Sequence, residues 1–204
     1  MTTLPGGLVV YGTSDWKARP PRASFAVTTP ADMVVHHMNY PNREPIADRE
    51  LAIAAAFELA RTCQNHHMDD PETGWSDTGQ HFTVSIDGVV CEGRHGSVGA
   101  LLAHHCIRGA HAADASAGVN DNRSWGTEHE GTYITAHMPP AQWSASVQLH
   151  AAIALLCDLD SAKIVGHRDT GCNTECPGDW LHSMLPKLRT DVHTAVVKLR
   201  ASGN

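Results

Sequence analysis

The chain has 204 residues, of which 42% are hydrophobic, and a formal net charge of −7 at pH 7. This length and apolar content suffice for one buried core, so we expect a single domain. The negative charge and the absence of a Lys/Arg cluster argue against nucleic acid as a partner. No apolar run reaches the roughly 20 residues that a membrane span needs, so we expect no membrane insertion.

The N-terminus MTTLPGGLVVYGTSDWK shows no basic flank followed by a continuous apolar segment, and so does not resemble a secretory signal. This predicts a protein that is made in a reducing compartment. Most of its six cysteines are then expected to be free thiols.

The first elements follow from composition and periodicity. Residues 1–32 are rich in Pro, Gly, Ser and Thr and predict an irregular arm with Trp16 as an apolar anchor, before a domain at 33–204. Residues 46–63 have high helix propensity and predict a largely buried helix. The alternating pattern of QHFTVSIDGVVCEGR predicts a β-hairpin with a two-residue turn at Asp87-Gly88.

The second half of the chain predicts two further strands and two helices. Residues 95–124 lack a sustained period and predict a long loop with short helical turns. SWGTEHEGTYI is a candidate central strand, and Pro139 and Pro140 are placed to open a buried helix. After the short strand KIVGH, Asp179 is predicted to cap a last amphipathic helix.

Metal-ligating side chains occur at the ends of two predicted strands. His167 ends the strand KIVGH, and Cys172 and Cys176 lie in the loop that follows. His36 ends the apolar run of MVVHH, where an imidazole would point out of a sheet edge. Two imidazoles and a thiolate suit zinc, with water or a further protein ligand in the fourth position.

Six segments of the chain together carry a resemblance to a known family. They are SDWKARPP, VVHH, GWSDTGQHFTVSIDGVVCEGR, GAHA, GTEHEGT and GHRDTGCNTECPGDW. In this combination the chain resembles the zinc-dependent N-acetylmuramoyl-L-alanine amidases, which share a domain with peptidoglycan recognition proteins and include many phage endolysins. The resemblance implies an α/β fold with a central mixed sheet, flanking helices and zinc in an open groove.

The resemblance also implies a ligand set and a reaction. His36, His167 and Cys176 would bind zinc, with water in the fourth position. The metal would lower the pKa of this water to about 7 and polarise a carbonyl group. The substrate would be bacterial peptidoglycan, and the bond cut would be the amide between the lactyl group of N-acetylmuramic acid and L-alanine.

Further catalytic groups follow from the same resemblance. Glu128 in SWGTEHEGT matches a glutamate that some members carry opposite zinc, although Glu130 would lie on the same strand face and stays an alternative base. Thr174 matches a position that places a donor beside the oxyanion. Gln80 stands in TGQHF where many members have tyrosine; it can donate a hydrogen bond but cannot exchange a proton.

Two histidines are expected to border the substrate. His111 in GAHA matches a tract that lines the cleft of the family. His37 follows His36 directly, and adjacent strand residues point to opposite faces. We therefore expect His37 to pack or bind substrate beside the metal rather than to coordinate it.

Two other functions remain open at this point. A member without the full catalytic set could bind peptidoglycan without cutting it. If Cys172 joined the other three ligands, the result would be a closed Cys2His2 site that is purely structural. For the enzyme, we expect a monomeric phage or prophage endolysin that is made in the host cytoplasm and reaches the cell wall at lysis.

Overall fold

A computed structural model describes residues 1–72 and 74–202 of the chain. The strands are β1 (Thr2–Thr3), β2 (Val9–Tyr11), β3 (Val27–Thr28), β4 (Met33–His37), β5 (Phe82–Val84), β6 (Val90–Glu92), β7 (Cys106–Ile107), β8 (Ala113–Asp114), β9 (Val119–Asn120), β10 (Trp125–His129) and β11 (Ile164–Gly166). The helices are α1 (Arg49–Asp69), α2 (Ser97–Leu102), α3 (Pro140–Leu156), α4 (Asp179–Ser183) and α5 (Leu185–Ala201), with 3-10 turns at Pro5–Gly7, Ser161–Lys163 and His167–Thr170. None of the helices in the described ranges is long and apolar enough to cross a bilayer.

The central sheet has seven strands in the order β1-β2-β6-β5-β10-β4-β11, which confirms the predicted α/β fold with a mixed sheet. β4 is parallel to both β10 and β11, and β10 is also parallel to β5. The register places Glu128 of β10 beside His36 of β4. Because parallel strands end at the same edge, the residues that follow β4, β10 and β11 come together there.

The two faces of the sheet are covered differently. Met33, Val35 and Trp125 belong to the main hydrophobic core, which also contains buried apolar residues of α3 and α5. Side chains alternate along a strand, so His36 and Glu128 point to the opposite face. On that face, a smaller cluster around Trp16 packs α1 against the hairpin strand β6.

Helices α1 and α3 begin in different ways. A side chain accepts hydrogen bonds from the first backbone N–H groups of α1, whereas α3 begins with a proline, which has no N–H group. Asp48 caps α1, because its carboxylate accepts hydrogen bonds from the backbone N–H groups of Glu50 and Leu51. α1 continues to Asp69, beyond the predicted end at residue 63. Pro140 is the first residue of α3, as predicted, since proline needs no N–H partner at that position.

The predicted last helix is divided, and its predicted cap is wrong. Gly178 rather than Asp179 occupies the cap position of α4, and the Asp179 carboxylate instead pairs with Arg168 at 2.8 Å. A second helix, α5, begins at Leu185 with Pro186 in its first turn. Proline cannot donate the hydrogen bond that would continue α4, so the chain starts a new helix there.

The β5–β6 hairpin is present, but its turn is longer than predicted. Ser85 N–H donates to the carbonyl of Val89, which leaves a three-residue loop in which Gly88 has φ +75°. Trp16 is fully buried, as predicted. The N-terminal segment is less irregular than predicted, because β1 and β2 extend the main sheet.

Candidate metal centre

Three metal-ligating side chains meet at the carboxyl ends of β4 and β11. His36 lies on β4, His167 directly follows β11, and Cys176 comes from the loop after the next 3-10 turn. Their ligand atoms all lie within 4.8 Å of one another. His36 Nδ1 is 3.7 Å from Cys176 Sγ, and the rings of His36 and His167 have centroids 4.5 Å apart. The structure therefore brings together the three residues that were predicted to bind zinc.

The chemistry of this group fits zinc. Burial, with smaller contributions from His111 and His167, holds the pKa of His36 well below its ordinary value, and burial also lowers the pKa of His167. Both imidazoles are therefore neutral and have a lone pair available. Burial, and then the nearby Glu128, raises the pKa of Cys176, so the thiol keeps its proton in the absence of a cation. Binding of zinc would displace that proton and produce the thiolate ligand.

Cys172 does not join the group. Within residues 1–72 and 74–202, the candidate metal ligands that converge are His36, His167 and Cys176. The buried Cys172 Sγ instead lies in hydrogen-bond contact with the Thr170 hydroxyl at 3.3 Å. The alternative of a closed Cys2His2 site is therefore contradicted, because these three residues leave the fourth position of a tetrahedral zinc site without a protein ligand.

Glu128 lies next to His36 in the sheet register and on the same face. Its carboxylate makes no hydrogen bond or ion pair with any residue in the described part of the chain. Desolvation without a partner raises its pKa to about 8. This carboxyl group is chemically uncommitted and suits proton transfer near neutral pH.

Glu130, the alternative base, is held in structural interactions with Arg43 and a backbone N–H group. It lies beyond the end of β10, so strand alternation no longer determines where its side chain points. Its carboxylate pairs with Arg43 at 2.7 Å and accepts a hydrogen bond from Ile86 N–H at 2.8 Å. Arg43 also pairs with Asp87 in the hairpin turn. The choice between the two glutamates therefore favours Glu128 as the candidate base.

A cavity of about 280 Å³ adjoins the candidate metal ligands, and its lining residues are His37, Asn39, Ile134, Thr174, Glu175 and Cys176. The Thr174 hydroxyl accepts a hydrogen bond from Cys176 N–H at 3.1 Å, so its own hydrogen is available to donate. Tyr133 N–H donates to His37 Nδ1 at 3.1 Å, so a neutral His37 carries its hydrogen on Nε2. Thr174 and His37 thus both border the cavity, and each has a hydrogen-bond donor that is available to a substrate.

Gln80 is engaged with a thiol rather than with the metal group. It is buried, and its amide donates to Cys63 Sγ on α1 at 3.0 Å. Burial and the nearby Glu128 raise the pKa of Cys63 to about 12, so this thiol stays protonated. The sequence did not single out Cys63; its only signal was the helical spacing to His67, whose Nδ1 is 3.7 Å away.

His111 lies behind His36 and not on the open side of the site, where the sequence placed it. It is 9% exposed, and its two ring nitrogens are each 3.0 Å from a partner, Nδ1 from His36 Nε2 and Nε2 from the Ser124 carbonyl. Both nitrogens are thus engaged, which leaves no ring nitrogen for a substrate.

Arg168 is a further residue of the site that sequence reasoning missed. Its backbone N–H donates to the Cys176 carbonyl at 3.0 Å, and its guanidinium donates to the Glu175 carbonyl and pairs with Asp179. It thereby holds the loop that carries Cys176. Its charge also lowers the pKa of His37, after the larger effect of burial. The available signal was its position directly after His167.

Comparison with known proteins identifies the family of this chain. Residues 27–179 match the family described as N-acetylmuramoyl-L-alanine amidase. Peptidoglycan-recognition protein LB of Drosophila melanogaster is 31% identical over 177 residues, which cover 84% of this chain and 65% of that relative. The chain thus spans slightly less than two thirds of the relative's length.

Two solved structures show the same fold. A point mutant of Drosophila PGRP-LB in complex with tracheal cytotoxin has a TM-score of 0.67 and 27% identity, with 86% of this chain and 92% of the other covered. The N-acetylmuramoyl-L-alanine amidase LysC from Clostridium intestinale has a TM-score of 0.60 and 20% identity, with 88% of this chain and 97% of the other covered. With a match over most of its length, this chain belongs to the N-acetylmuramoyl-L-alanine amidase family.

Proposed function

We propose that this protein uses zinc to hydrolyse the amide bond between the lactyl group of N-acetylmuramic acid and L-alanine in bacterial peptidoglycan. The observation that carries this proposal is the open group of His36, His167 and Cys176 beside the unpaired carboxyl group of Glu128. Membership of the amidase family supports the reaction type. The complex of the related PGRP-LB with tracheal cytotoxin shows that a relative binds a ligand on this fold.

Glu128 is the group that moves protons in this proposal. Zinc held by the three ligands would acidify a water molecule and polarise the substrate carbonyl. Glu128 would take a proton from the attacking water and deliver it to the departing amine of L-alanine. Desolvation alone raises its pKa to about 8, and a neighbouring cation would lower this value towards the range of a base.

The cavity supplies the groups that orient the substrate. The Thr174 hydroxyl and His37 Nε2–H both border it next to Cys176. A hydrogen-bond donor that meets the oxygen of the attacked carbonyl stabilises the negative charge that develops there. We assign this role to Thr174, and to His37 the binding of a substrate oxygen.

Recognition without cleavage is the second candidate function, and the state of Gln80 favours it. The amide of Gln80 is bound to Cys63, so no ionisable side chain replaces the tyrosine of many family members. If proton transfer requires that tyrosine, the site would hold muramyl peptides without cutting them.

The matched variants Glu128→Gln and Glu130→Gln separate these functions. Loss of a general base lowers turnover by about 10²–10⁴-fold, so Glu128→Gln should release almost no L-alanine peptides from muramyl peptides while it keeps zinc and fold. Glu130→Gln should keep turnover in its folded fraction. A wild-type protein that binds muramyl peptides and never cuts them would establish recognition as the function.

The biological setting stays a prediction. A phage or prophage lysin, made in the host cytoplasm, acting on the wall at lysis and working as a monomer, is consistent with a peptidoglycan amidase. Detection of lysis after expression together with a membrane-permeabilising protein would test that role.

A further inference from the structure

His111 connects a candidate metal ligand to the backbone of the segment that leads into β10. Its Nδ1 lies 3.0 Å from His36 Nε2, and its Nε2 lies 3.0 Å from the carbonyl oxygen of Ser124. The three residues therefore form a continuous hydrogen-bonded chain that ends at the metal group. All three are buried.

The chemistry of the last acceptor determines where each hydrogen lies. A main-chain carbonyl can only accept, so His111 carries its hydrogen on Nε2 and donates it to Ser124. The Nδ1 of a neutral His111 is then unprotonated and must accept a hydrogen from His36 Nε2. The lone pair of His36 therefore lies on Nδ1, which is the nitrogen that faces Cys176 Sγ at 3.7 Å.

His111 is itself held rigidly in this position. The backbone N–H groups of His111 and Ala112 both donate to the Asn122 side-chain oxygen, at 2.7 and 2.8 Å. The imidazole lies against Gly126 of β10, where a Cβ atom would come within 2.7 Å of the ring. Only glycine leaves room for the ring there, so several parts of the chain cooperate to fix one side chain.

We propose that His111 is a positioning residue that selects the tautomer and ring orientation of His36 for metal binding. The inference rests on the proposed zinc site and adds a residue to it. Partners that accept the second N–H of a metal-binding histidine commonly improve metal affinity by about 10–100-fold. His111 would then serve the metal ligand and not, as the sequence indicated, the substrate.

Three variants test the proposal by zinc affinity, measured as transfer of zinc from the loaded protein to a competing chelator. His111→Leu removes both hydrogen bonds and should weaken zinc binding about 10–100-fold. His111→Asn keeps an acceptor near the position of Nδ1 and should recover part of that loss. The exposed His105→Asn is the control and should bind zinc like the wild type.

A second measurement needs no variant and so does not depend on folding of the substituted proteins. Nitrogen-15 NMR of histidine-labelled wild-type protein should show His111 and His36 as neutral tautomers with hydrogen on Nε2. Hydrogen on Nδ1 of His111, or normal zinc affinity in a folded His111→Leu, would overturn the inference and leave the zinc site intact. A wild-type protein that binds no zinc would overturn the proposed function as well.

Discussion

Glu128 and Glu130 are two residues apart in the sequence and differ in whether their carboxylates have a partner. Glu130 is paired with Arg43 and a backbone N–H, whereas Glu128 lies partly buried beside the candidate metal ligands without a partner. The two glutamates flank the same histidine, His129, and the sequence left the choice between them open. The difference arises because β10 ends at His129. The local sequence pattern does not show where the strand ends.

Thr174→Val should reduce turnover without loss of zinc. Valine keeps the shape of threonine and removes the hydroxyl that borders the cavity beside Cys176. Loss of one oxyanion donor typically costs about 10²–10³-fold in kcat. Thr174→Ser, which keeps the hydroxyl, is the matched control and should stay close to the wild type. Equal rates for the valine and serine variants in a muramyl-peptide assay would remove Thr174 from the mechanism.

The zinc-free protein should lose stability relative to Glu128→Gln as the pH rises. Folding raises the pKa of this carboxyl from 4.5 to about 8, so between these values the unfolded chain is ionised while the folded protein holds the proton. Ionisation then favours unfolding, by at most about 1.4 kcal/mol per pH unit. Urea unfolding of both proteins across this range measures the difference. A difference that does not change with pH would contradict an unpartnered, desolvated Glu128.

At the scale of elements, sequence patterns predicted which segments form strands and helices better than how they end. The hairpin was predicted from its alternating pattern, α1 from its helix propensity and α3 from its opening prolines, and the short strand β11 was predicted as well. The division between α4 and α5 was missed, although Pro186 marks it, because the apolar repeat continues across the break. The hairpin turn was misjudged because its length depends on the bond between Ser85 and Val89.

Gly88→Ala should destabilise the fold through the hairpin turn. Gly88 has φ +75°, and a Cβ atom there would lie 2.7 Å from the Ala141 carbonyl at the start of α3. Strain of this kind costs about 1–3 kcal/mol. Gly99→Ala is the control, since Gly99 lies in α2 with open space around it and alanine favours helices. Thermal unfolding should therefore show a lower Tm for the first variant and not for the second; equal values would contradict the strained turn.

At the scale of the whole molecule, the resemblance to a known family predicted which distant residues meet at the metal centre. Periodicity along the chain could not predict this. His36 and Cys176 are far apart in the sequence and meet because β4 lies between β10 and β11. The α/β fold with a mixed sheet followed from the same resemblance, whereas the roles of His111 and Cys172 depended on packing. Their positions follow from hydrogen bonds to Ser124 and Thr170, which the sequence does not reveal.

Zinc should stabilise the folded protein as a whole. A ligand that binds only the folded state at about 100 times its Kd adds about 2.7 kcal/mol to the free energy of unfolding. Cys176→Ser should lose most of this gain, whereas Cys172→Ser should keep it, because Cys176 lies in the metal group and Cys172 does not. Melting curves with zinc and with chelator measure the effect. If Cys172→Ser also lost this stabilisation, the result would support a closed four-ligand site that includes Cys172.

The central claim is tested most directly by mass spectrometry of purified peptidoglycan after incubation with the zinc-loaded protein, with chelator, and with chelator followed by excess zinc. The account predicts free peptides that begin with L-alanine in the first and third samples and none in the second. Intact sugar–peptide linkages in all three samples, with one zinc bound per chain, would contradict it.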